Sequence, residues 1–129
     1  VNVASTIDDG RHAETMAAAF LCLCGYVVTD RNVRFGPLEI DLVARRGNVV
    51  AVVEVKYRRR GMLGGAGGAV GWTKQRYLET AAVRFVRSRG LQGVCVRFDV
   101  VLIEPASGAN AVTMRHIQNA FGATGRYAL

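Results

Sequence analysis

The chain has 129 residues, of which 50% are apolar and 21% charged, and its 17 basic and 10 acidic side chains leave a net charge of +7 and a pI of about 10.0. That balance excludes a disordered chain, suffices for one hydrophobic core in a single domain over residues 1–129, and favours a polyanionic partner, since each phosphate met by Lys or Arg releases a counterion. No apolar run reaches the roughly eighteen residues that span a bilayer, and the N-terminus has no basic start followed by an apolar middle, so a soluble, cytoplasmic protein with no membrane partner is expected.

From Asp8 to Cys24 the residues Ala13, Met16, Ala17, Phe20, Leu21 and Cys24 recur at helical spacing, which predicts an amphipathic helix capped by Asp8 or Asp9 and ended by Gly25. Tyr26 to Arg34 is rich in β-branched residues and reads as a strand. Phe35-Gly36-Pro37 is a turn, Leu38 to Arg45 a second strand, Arg46-Gly47-Asn48 a hairpin turn, and Val49 to Tyr57 a third strand. That third strand is apolar on both faces, as a central strand should be, and its only charges are Glu54 and Lys56.

After Arg58-Arg59-Arg60 comes a glycine-rich stretch without the Gly-Lys-Ser/Thr ending of a phosphate-binding P-loop, which argues against nucleotide hydrolysis. Trp72 to Arg89 reads as a second helix with Leu78, Ala81, Ala82, Phe85 and Val86 buried, Arg76, Arg84 and Arg87 outside that stripe, and Gly90 as its stop. Trp72 either stacks on a base or fills the core, and the core is the expectation. Val94 to Ile103 is a fourth strand with Asp99 in its middle, and the segment containing His116 reads as a short strand running into a short helix. The cysteines, Cys22, Cys24 and Cys95, have neither zinc-ligand nor redox spacing and are expected as small buried residues in a reducing compartment. His12 and His116 likewise lack ligand spacing. The order predicts an α/β fold with a mixed sheet between helices, its first three strands an antiparallel meander.

Alternation along a strand puts Glu54 and Lys56 on one face, and Glu39 and Asp41 on one face of the neighbouring strand. A symmetric hairpin about Gly47 brings Asp41 to Glu54. Like charges this close raise each other's pKa, a conflict that a divalent ion removes; one or two carboxylates, a backbone carbonyl and several waters suit Mg²⁺. Such an ion polarises a phosphoryl oxygen and makes water a better nucleophile, while a neighbouring ammonium orients that water or stabilises the charged transition state. The simpler reading of Lys56 is an ion pair with Glu54 or Asp41.

The stretch "LEIDLVARRGNVVAVVEVKYRRR", with "RHAETMAAAFLCLCGYVVTDRNVR" before it and "AVGWTKQRYL", "RFDVVLI" and "HIQNAF" after it, resembles the ordered blocks of the YraN-like proteins. That is a bacterial family with a restriction-endonuclease-like fold akin to archaeal Holliday junction resolvases, and the resemblance covers nearly the whole chain. It implies a three-layer sandwich with an αβββαβ core and a PD-(D/E)XK nuclease site. Asp41 takes the place of the first metal-binding aspartate, although Ile40 stands where the motif has proline. Glu54 and Lys56 match Glu-X-Lys, the Val55 carbonyl is a further candidate ligand, and Glu14 matches the additional glutamate of resolvase-like members. Without the resemblance Glu14 reads as an ordinary solvated helix acid. Leu38 replaces the family's glycine before the Glu-Ile-Asp block, which leaves Glu39 either a supporting acid or the partner of an arginine.

The expectation is therefore a Mg²⁺- or Mn²⁺-dependent endonuclease acting on DNA, with Asp41, Glu54, Lys56 and Glu14 catalytic and Arg58, Arg59, Arg60 and Lys74 on the phosphates. Branched recombination or repair intermediates follow only by analogy with the resolvases, and a homodimer would accompany symmetric cutting of a junction. Charge does not separate DNA from RNA. The alternative is a nucleic-acid-binding or partner-binding module that keeps the nuclease fold without turnover.

Overall fold

The structure is a computed structural model that describes residues 3–58, 70–106, 111–122 and 126–127, with side chains from residue 10 onward in the first three segments. Its elements in chain order are helix α1 (Val3–Leu23), strands β1 (Val27–Phe35), β2 (Leu38–Arg46) and β3 (Val49–Tyr57), helix α2 (Trp72–Ser88), and strands β4 (Val94–Pro105), β5 (Val112–Phe121) and β6 (Arg126–Tyr127). The sheet runs β1-β2-β3-β4-β5, and β6 pairs with the start of β4. All of its pairings are antiparallel except β3 with β4, which the α2 crossover makes parallel.

Two glycine turns build the meander. Gly36 (φ 61°) and Gly47 (φ 58°) each take the first position of a two-residue hairpin loop, a left-handed conformation that side chains with a Cβ resist. The second turn fixes the register of β2 on β3, from Arg46 opposite Val49 to Leu42 opposite Val53. α1 closes differently: Gly25 (φ 91°) follows its last turn, and the amide of Tyr26 donates back to Leu21 O at 3.0 Å, which turns the chain into β1.

The sheet has a core on each face. Val50 and Val52 of β3 pack with Leu78, Ala81, Ala82, Phe85 and Val86 of α2 and with Val96, Phe98 and Val100 of β4. Ala51 and Val53 face the other way, onto Ala13, Ala17, Ala18 and Leu21 of α1. Alternate residues of one strand thus serve two layers, and the small alanines let α1 lie close to the sheet. At about 1.5–3 kcal/mol for each large aliphatic side chain buried, these two cores account for most of the stabilisation.

Several expectations are corrected. α1 begins at Val3, so Asp8 and Asp9 lie inside it and do not cap it. The segment around His116 is strand throughout, because β4 offers a free edge whose hydrogen bonds outweigh the helical preference of a few residues. Cys22 is exposed, and Cys24 and Cys95 are half-buried. Trp72 is 70% exposed, outside the stripe that α2 buries. No helix among the described residues is long and apolar enough to cross a membrane.

Candidate functional site

The hairpin register carries Asp41 to Glu54, one step beyond the Leu42–Val53 pair. There β2 and β3 part, while β3 stays paired with β4 as far as Tyr57 opposite Ile103. Where the next ladder bond would fall, the Asp41 side chain substitutes for backbone: its Oδ2 accepts the amide of Val55 at 2.9 Å. Asp41 also marks a break in the pleat, because Ile40 packs in the core under α2 while Leu42, two residues on, packs in the core under α1. Opposite it on β1, Asn32 takes φ 51°. Glu39 lies across from Arg34 and pairs with it at 3.5 Å, one of the two roles expected of it.

Glu54 is nearly buried, its side chain 5% exposed. Lys56 Nζ lies 3.3 Å from its Oε1, and Lys74 Nζ, from the first turn of α2, lies 3.9 Å from the same oxygen. Its other oxygen, Oε2, is buried without a hydrogen-bond partner among the described residues. A buried carboxylate oxygen left unpaired is a costly arrangement that proteins otherwise avoid. Asp41 shares the strain: burial first, then the charge of Glu54, push its carboxyl up to about 7, with Glu14 of α1 adding to the rise, while the Val55 amide and Lys74 oppose it.

Two hard carboxylates crowded together, one oxygen unsatisfied and one pKa displaced to neutrality, fit a small divalent cation. The donors would be Asp41 and Glu54, and the remaining positions fall to water and the Val55 carbonyl, as Mg²⁺ or Mn²⁺ accepts. Among the described residues no group of three or more His, Cys, Asp or Glu is close enough to hold an ion. Glu14 acts on the pair through its charge. Lys74 occupies a helix first turn that has no acid and no side-chain cap on Gly71, a place where the helix dipole disfavours a cation; its partner Glu54 offsets that penalty. Arg58, whose amide donates to Ile103 O at 2.9 Å, extends the basic edge, whereas Arg59 and Arg60 lie outside the described residues.

A second polar cluster sits on the α1 face of β4. Asp99 is fully buried and accepts from Arg97 (2.8 and 2.7 Å), from the amide of Asn119 (3.0 Å) and, at 2.7 Å, shares a hydrogen bond with His116 Nε2. Burial alone would raise its carboxyl pKa, but the hydrogen bonds from His116 and Arg97 hold it below the usual value. Asp99 in turn raises the Arg97 pKa, against the effect of burial. Arg97 Nη2 also donates to the Tyr26 hydroxyl at 2.5 Å, and Tyr26 meets the His116 ring edge-on at 5.4 Å. The cluster ties the start of β1 to β4 and β5 at the register shift between Phe98 and Val100. Sequence reasoning set Asp99 in the middle of the strand and gave Arg97 no role, although Arg97 and Asp99, two apart on a strand, share a face. His116 is a satisfied structural histidine.

The site and its setting define an α/β chain of αβββαββ order with a carboxylate pair, flanked by lysines, where two central strands part. The chain belongs to the Uncharacterised protein family UPF0102, which matches residues 13–103, a span that includes every candidate residue from Glu14 to Lys74. It is 47% identical over 94 residues to a UPF0102 protein of Chloroherpeton thalassium, covering 73% of each chain. To a UPF0102 protein of Symbiobacterium thermophilum it is 44% identical over 114 residues, 88% of this chain and 96% of that one. To one of Rhodococcus jostii it is 38% identical over 112 residues, 87% of this chain and 94% of the other.

Proposed function

We propose that the protein is a metal-dependent nuclease that hydrolyses phosphodiester bonds of DNA, with a site of the restriction-endonuclease-like kind. The observation that carries this reading is the carboxylate pair itself: a half-buried Asp41 whose carboxyl is raised to about 7, beside a buried Glu54 whose Oε2 has no partner among the described residues. Asp41 and Glu54 would hold Mg²⁺ or Mn²⁺, with the Val55 carbonyl as a further ligand. When bound, the ion supplies Lewis-acid polarisation of the phosphoryl oxygen and a lowered pKa for the attacking water.

The protein's own groups do the rest. Lys56, held by Glu54 Oε1, orients the water and offsets charge that develops on the phosphoryl oxygens. Lys74 and Arg58 receive the flanking phosphates, and Glu14 tunes the carboxylate pair. Branched DNA is the proposed substrate by analogy with resolvases, and a homodimer accompanies it if both strands are cut symmetrically.

The second reading, a binding module without turnover, draws on one contact: Lys56 and Lys74 together offset the Glu54 charge with no ion needed. Incubation of wild type and Glu54→Ala with labelled four-way junction, flap, single strand, linear duplex and RNA, in Mg²⁺ or Mn²⁺, separates the two. Cutting that requires both the ion and Glu54 supports the nuclease. Tight binding without cutting under every condition supports the module.

A further inference from the structure

The first residue of α2 is a tryptophan that the core does not use. Trp72 is 70% exposed, and the Arg76 guanidinium, one turn along, lies 5.1 Å from the centre of its ring. A lone exposed apolar side chain is ordinary, but the surroundings of this one are not. Two residues on, a rise of about 3 Å along the helix axis and on the side of α2 turned away from Trp72, Lys74 reaches the buried Glu54. On the outward side of α2, Arg76, Arg84 and Arg87 are all exposed. An open aromatic face with a guanidinium over it thus stands at the end of a basic helix surface, in the same first turn as the lysine that reaches Glu54.

We propose that Trp72 and Arg76 form a stacking subsite for an unpaired nucleobase, so that the protein engages nucleic acid at a single-stranded or unstacked position next to the scissile phosphate. This rests on the nuclease reading for the identity of the neighbouring site. Stacking on aromatic side chains within a basic surface is how single strands are held without sequence preference, because every base has a π face while a closed duplex presents only its edges and backbone. The +7 net charge, with arginines exposed along this helix, fits a polyanionic strand better than an apolar peptide. Arg76 has two uses in this arrangement: its plane holds the indole in place, and its charge meets the phosphate that follows the base.

Trp72 is the only tryptophan in the chain, so intrinsic emission reports on this subsite directly. The test is titration of the full chain in EDTA, which prevents metal-dependent cutting, with a mixed-sequence 12-nucleotide single strand, a blunt duplex of equal length, and polyglutamate as a polyanion without bases. Emission and labelled-strand anisotropy are read together. The single strand is expected to quench the emission, and the duplex and polyglutamate to leave it nearly unchanged. Trp72→Ala is expected to weaken single-strand affinity about five- to hundredfold and Trp72→Phe by much less, a pattern that loss of fold does not produce. Binding of the single strand with unchanged emission, equal affinity in Trp72→Ala, or equal quenching by polyglutamate overturns the subsite. Cleavage assayed separately in Mg²⁺ keeps the two claims apart: cutting without quenching refutes the stacking subsite alone, and quenching without cutting refutes the nuclease alone.

Discussion

Replacing Asp41 by Asn should make the metal-free protein more stable at alkaline pH and leave it unchanged at acid pH. In the folded chain the carboxyl titrates at about 7, against 3.8 for its ordinary value, so between those limits the folded state holds a proton that the unfolded state has released. Stability from this group is therefore complete below about pH 4 and is lost as pH rises through 7. A displacement of that size corresponds to at most roughly 4 kcal/mol for the ionised form; partial exposure and relaxation of the site reduce the expected effect to about 1–2 kcal/mol. Asparagine removes the charge but keeps an oxygen for the Val55 amide, so the hydrogen bond at 2.9 Å survives the substitution. Thermal unfolding of wild type and Asp41→Asn in EDTA from pH 4 to pH 8 reads the difference. A gain of about 3–8 °C at pH 8 that shrinks to under half at pH 5 and is nearly gone at pH 4 is expected. The variant melting at or below wild type at pH 8, or a difference independent of pH, refutes the claim that crowded carboxylates strain this site.

Four further outcomes follow from other residues. Asp99→Ala leaves Arg97 and the Asn119 amide without their acceptor and should destabilise the protein by about 3–5 kcal/mol, measured by urea unfolding at pH 7. In wild type the contribution of Asp99, whose carboxyl is held low, is present above about pH 4 and is lost on acidification below that, so wild type and Asp99→Asn should converge in stability as the pH falls below about 4. Lys56→Met should leave single-strand affinity within a few-fold and lower the single-turnover cleavage rate by about a hundredfold or more, since its ammonium acts on the developing charge. Gly25→Ala forces a Cβ onto a residue at φ 91° and should cost about 1–2 kcal/mol in the same urea assay.

Much of the site was legible because a two-residue turn and period-2 alternation leave little freedom. Once Gly47 is read as a hairpin turn, Asp41 must approach Glu54, and Lys56 must share the face of Glu54. Alternation also assumes an unbroken pleat, and β2 changes face between Ile40 and Leu42, a distortion that no residue type on β2 announces. Trp72 was placed in the core on residue type alone, although the stripe of Leu78, Ala81 and Phe85 already excluded its position on α2. β5 was read in part as helix because its pairing partner is β4, distant in sequence, and local propensity carries no record of a free sheet edge. Lys74 was named as a phosphate contact, but its approach to Glu54 depends on where the crossover sets α2 down, which only the packed structure shows.

The central claim is that Asp41 and Glu54 hold a divalent ion. Calorimetric titration of Mn²⁺ into wild type, Asp41→Asn and Glu54→Gln at pH 8, without nucleic acid, tests it most directly. The account predicts one site in wild type that both substitutions abolish, and an affinity in wild type that falls as pH drops below about 7, where Asp41 takes up a proton. No binding to wild type, or binding that survives both substitutions, would contradict it.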